Sequence, residues 1–84
     1  MKTYIDKTGT KYSVRPYQIA DAWNAYIKKR YKIAFIRPDA KSQFDWERFA
    51  PTKWHETEEA AEMELDEFAV KKGWELLSDT SGRH

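Results

Sequence analysis

Apolar and polar positions alternate through the first half of this chain, and a helical spacing replaces that alternation in the second. Thr3–Ile5 and Lys11–Arg15 contain the strand formers Tyr4, Tyr12 and Val14, and they flank Asp6-Lys7-Thr8-Gly9-Thr10. Gly9 can supply the positive φ of a short loop, so these segments predict a first hairpin. Tyr31, Ile33 and Phe35 alternate with Lys32, Ala34 and Ile36 ahead of Pro38, which predicts a strand over 31–37. A polar stretch, Pro38 to Gln43, leads to a further short strand, Phe44 to Phe49, ended by Pro51. Together they predict a second antiparallel pair.

Glu58–Lys72 carries the clearest helical pattern. Ala61, Leu65, Phe68 and Ala69 share one face at 100° per residue, joined by the aliphatic stem of Lys72. Thr57 suits the N-cap, Glu58 and Glu59 the first turn, and Lys71 and Lys72 the last turn, where each charge opposes the helix dipole. Gly73 falls where a left-handed residue ends a helix, and Trp74 can fold back on Phe68 or Ala69. Trp74–Leu77 reads as a short edge strand and 78–84 as a polar tail, leaving a single domain over 1–77.

Pro16 to Arg30 carries two periods at once. Ile19, Trp23, Tyr26, Ile27 and Arg30 fall on one helical face, supported by Ala20, Ala22 and Ala25 and by the Lys28-Lys29-Arg30 end. Trp23, Ala25 and Ile27 also alternate as in a strand. The expected fold is therefore a small α+β domain. It has an antiparallel sheet of two hairpins, a middle helix (a strand over 19–28 being the other reading), and a capped C-terminal helix packed on the sheet.

Composition sharpens this in two ways. The thirteen aromatic residues among 84 offer a dense core to a chain with no cysteine to staple it. The net charge of +1 conceals a segregation: residues 1–55 hold twelve Lys or Arg against five Asp or Glu (+7), and residues 56–84 hold three against nine (−6). Such a chain can offer opposite charge to two partners over about 8 Å at physiological salt. The longest uninterrupted apolar run, Ile33–Ile36, is too short for a membrane span, and the first residues have no apolar leader. A cytoplasmic protein is expected.

Little in the chain points to catalysis. His55-Glu56-Thr57-Glu58-Glu59 gathers metal-type ligands, but zinc requires at least three, and the two-histidine helical motif would need histidine at Glu59. No serine stands in a glycine-rich elbow, and three glycines make no phosphate cradle. No catalytic residue, metal, cofactor or small-molecule substrate is expected. Two binding surfaces are. On the helix, Met63 and Val70 lie opposite the Leu65–Phe68 face among Glu59, Glu62 and Asp66, an apolar strip with an acidic border suited to a basic protein surface. In the first half, Lys28, Lys29, Arg30, Lys32 and Arg37 interleave with Tyr26, Tyr31 and Phe35, a combination suited to nucleic acid. The leading expectation is an adaptor or inhibitor that docks on a protein through the acidic helix, with nucleic-acid binding through 23–37 as the alternative.

Trp23-Asn24-Ala25-Tyr26-Ile27, with Thr57-Glu58-Glu59-Ala60-Ala61 and Gly73, resembles integrase arm domains and the DNA-binding domains related to them. That resemblance implies a tryptophan-bearing three-stranded sheet set in the major groove and backed by a helix. Here Pro38 to Thr57 separate strand from helix, where the family has only a few residues.

Overall fold

A computed structural model of the chain describes residues 2–21 and 26–79. They form β1 (Lys2–Ile5), β2 (Lys11–Asp21), β3 (Tyr26–Ile36), β4 (Glu47–Arg48), α1 (Glu58–Lys72) and β5 (Glu75–Asp79). The strands make one antiparallel sheet in the order β4-β3-β2-β1-β5, and α1 packs on one face of it. The α+β class, the antiparallel sheet and the packed C-terminal helix are as the patterning predicts.

The first hairpin closes through Asp6. The Asp6 amide donates to the Thr10 carbonyl (3.0 Å), and Gly9 donates to the Asp6 carbonyl (3.1 Å) at a φ of 90°. The Asp6 carboxylate accepts from the Thr8 amide and hydroxyl, the Thr10 amide and the Tyr12 hydroxyl. One side chain thus satisfies the turn and ties it to β2.

The middle helix does not form. β2 and β3 pair in register from Lys11↔Ile36 to Asp21↔Tyr26, so the described parts of 16–30 are strand. Residues 22–25, including Trp23, lie outside the described residues. Pro16 is tolerated because it faces Tyr31, whose amide and carbonyl both bond to His55 (2.8 Å each). Pro16 and Tyr31 therefore form a non-hydrogen-bonded pair, and the missing proline N–H costs the ladder nothing. An isolated helix of this length is marginal in water, whereas each added strand pair here extends an existing ladder.

The core lies between sheet and helix. Tyr12, Val14, Ile33, Ala61 and Leu65 are buried there, with Tyr4, Tyr31, Phe35, Phe49 and Trp74 packed around them. α1 begins with the Thr57 hydroxyl accepting from the Ala60 amide and ends at Gly73 in the left-handed region (φ 76°). Trp74 stacks on Phe68, as the capping pattern predicts, and more closely on Tyr12 (3.7 Å between centroids). Lys72 is exposed and does not join that face.

Two further elements differ from expectation in their boundaries. The strand expected over 44–49 reduces to Glu47–Arg48, and Phe44 is 75% exposed. β5 reaches Asp79, two residues into the expected tail, because Ser78 and Asp79 pair with Thr3 and Lys2 across a bulge at Leu77. Residues 80–84 lie outside the described residues. Among the described residues, no helix is long and apolar enough to cross a membrane.

Candidate functional site

Register assigns the two faces of the sheet. Partners opposite one another share a face, so Tyr12 with Phe35 and Val14 with Ile33 belong to the α1 side. The intervening pairs belong to the outer face: Ser13 with Ala34, Arg15 with Lys32, Tyr17 with Arg30, and Ile19 with Lys28. Arg48 pairs with Ala34 and joins them from β4. Near the first turn this outer face is closed over, with Ser13, Ala34 and Ile36 buried. Farther along β2 and β3 it is basic and aromatic.

Two tryptophans from the segment after β3 complete this surface. The Trp46 ring is anchored by its Nε1 donating to the Gln43 carbonyl (3.1 Å), and the Arg15 guanidinium lies over it at 5.0 Å. Trp54, 39% exposed, meets Tyr17 edge-on at 5.6 Å, with Lys32 and Arg48 over its ring at 5.4 and 5.9 Å. Trp46 also borders two clefts. One, of about 470 Å³, is lined by Lys11, Arg37, Lys41, Ser42 and Gln43 among others; the second, of about 360 Å³, by Tyr17, Glu47 and Arg48.

The five cations singled out in the sequence do not form one cluster. Lys28, Arg30 and Lys32 belong to the outer face, whereas Lys29 lies over Tyr31 (5.8 Å) on the α1 side. Arg37 lies over Phe35 (5.5 Å) and borders the larger cleft. Arg30 approaches Glu56 at 3.7 Å, a loose pair with an exposed carboxylate. Lys32 is buried, its ammonium donating to the carbonyl and hydroxyl of Thr52. Burial lowers its pKa, partly opposed by Glu64. Lys32 thus fastens the 50–54 excursion to β3. Arg15, Tyr17, Trp46, Arg48 and Trp54 were not among the sequence candidates. The period-2 signal Arg15-Tyr17-Ile19 was present, but it is readable only once 16–21 is taken as strand.

The helix candidates also divide. Met63 and Val70 are 66% and 86% exposed, and Glu59 is exposed beside them. Asp66 instead turns to the sheet, accepting from Lys2 Nζ (2.9 Å) and the Tyr4 hydroxyl (2.6 Å). Glu62 is half-buried, and its pKa is raised by burial and by Glu58. Glu67, exposed one turn after Met63, borders an apolar hollow with Val70 and Lys71.

His55 and Glu64 form a close pair (2.7 Å), and Glu64 also accepts from the Lys53 amide, so this pair binds the loop before α1 to the helix. Among the described residues, no group of three His, Cys, Asp or Glu could hold a metal ion. Compared with protein families, curated proteins and solved structures, the chain finds no match.

Proposed function

We propose that this protein is a small non-catalytic domain that binds nucleic acid on the outer face of its sheet. The observation that carries the reading is the sharing of one face by Arg15, Arg30 and Arg48 with Tyr17, Trp46 and Trp54. Cations there meet phosphates, rings meet bases, and the opposite face is occupied by α1. Asp66 is paired with Lys2 and Tyr4 and Glu62 is half-buried, so the helix keeps fewer acids for a partner; on the sheet Lys32 is buried as well, and the reading rests on the arginines and the rings.

Arg15→Gln with Arg48→Gln tests this. The double variant should remain folded and bind DNA or RNA more weakly whatever the sequence. Its log–log salt slope should become shallower by about 1.4 for a single strand, or about 1.8 for a duplex. Wild-type protein that binds neither form at low salt would eliminate the reading.

A second reading, a basic protein partner on α1, is favoured by the exposure of Met63 and Val70 beside Glu59 and Glu67. In that case the helix would supply an apolar contact with an acidic border, the sheet face remaining free.

A further inference from the structure

We infer that the ligand of the outer sheet face is a single strand, its bases stacking on Trp46 and Trp54; this rests on the nucleic-acid reading above. Both rings are held in place before any ligand arrives. Trp46 is held by its bond to the Gln43 carbonyl, and Trp54 is braced edge-on by Tyr17. Each has a guanidinium within 6 Å of its ring centre, Arg15 on Trp46 and Arg48 on Trp54, so a phosphate-binding group accompanies each platform.

The shape of the surface separates single strand from duplex. Trp46 borders both clefts, so its ring lines hollows and does not stand on a ridge, and Trp54 adjoins Tyr17 and Arg48, which line the smaller cleft. A duplex keeps its base faces stacked inside and is read by elements that protrude into a groove. A single strand exposes a π-face at every base, and each base stacked on an aromatic side chain contributes about 1–3 kcal/mol. The track has cations along its length. It begins at Lys11, Arg37 and Lys41 in the larger cleft, passes Trp46 and Arg15, and continues by Tyr17 and Arg48 to Trp54. Acids beside it include Glu47 in the smaller cleft and the exposed Glu56 near Arg30, and Asp39 and Asp45 belong to the 38–46 segment that lines the larger cleft. A flexible backbone can follow such a path, and a straight double helix cannot enter both clefts.

The test is anisotropy titration of the full chain with a fluorescein-labelled mixed-sequence DNA of about a dozen nucleotides, single-stranded and as its duplex. The single strand should bind at least roughly ten-fold tighter than the duplex. Trp54→Leu should weaken single-strand binding about five-fold or more and leave residual duplex binding unchanged. Because a tryptophan variant could lose the fold, circular dichroism is measured alongside. Lys11→Gln with Lys41→Gln, both at exposed positions, should lower the single-strand salt slope by about 1.4. Duplex binding as tight as single-strand binding, or a folded Trp54→Leu variant with unchanged affinity, would overturn the single-strand inference and leave nucleic-acid binding standing. Failure to bind either probe at low salt overturns both.

Discussion

Asp6 and Tyr12 form the most consequential polar pair in the core hairpin, since one carboxylate serves the turn and the buried ring together. Burial alone would raise the Asp6 pKa, but hydrogen bonds from Thr8, Tyr12 and the Thr8 and Thr10 amides outweigh it and hold the pKa low. Its stabilisation is therefore present above the unfolded value of about pH 4 and lost as pH falls through the lower folded value. Asp6→Asn should be less stable than wild type in urea at about pH 7, with the gap narrowing toward about pH 2. Tyr12 is pushed up to about 12 by burial and by Asp6, so its contribution is present below about pH 10 and lost as pH rises through that folded value. Gly73 offers a purely backbone test. A Cβ there would meet nothing within 4 Å, so Gly73→Ala is penalised by its φ of 76° alone. We expect a loss of about 1–2 kcal/mol and a thermal midpoint lower by about 5 °C or more. An unchanged midpoint would show that the left-handed position carries no cost.

At the level of elements, α1 has an anchored side and an open side. Asp66 clasps β1 through Lys2 and Tyr4, and burial together with the Asp66 bond raises the Tyr4 pKa. Asp66→Ala should destabilise by about 1 kcal/mol, at the modest end because the pair is partly solvated. Met63→Ala with Val70→Ala should stay within about ±0.5 kcal/mol, as both side chains stand in solvent. Chemical denaturation distinguishes the two cases directly. Unfolding of the double variant would mean that the helix is covered on both sides. Loss of a basic protein partner without loss of stability would support the second functional reading.

Across the whole molecule, the charge segregation becomes a division between faces. Arg15, Lys28, Arg30 and Arg48 share the outer sheet face, while exposed Glu59 and Glu67 belong to the helix that covers the other face. With a sequence pI near 7.9, long-range repulsion between copies is weak around neutral pH. Basic face against acidic helix then favours head-to-tail association at low salt. Light scattering should show a solubility minimum near that pI, relieved by physiological salt, where screening reaches about 8 Å. Scattering independent of salt would argue that apolar contacts dominate.

The sequence by itself determined what depends on neighbours along the chain. The Asp6–Gly9 turn, the Thr57 and Gly73 caps, the Ala61–Leu65–Ala69 face and the exposure of Met63 and Val70 all follow from local spacing and backbone chemistry. Tertiary structure decided the described parts of 16–30, where helix and strand periods coexist and only the pairing of β2 with β3 separates them. It also decided the candidate site. Arg15, Trp46, Arg48 and Trp54 are far apart in sequence and meet because β2, β3 and the returning segment share one face. Lys32 shows the converse: adjacent to Tyr31 in a basic run, it is buried by Thr52, twenty residues away. Local pattern can assign a residue to a face, but what covers that face depends on contacts closed by the rest of the fold.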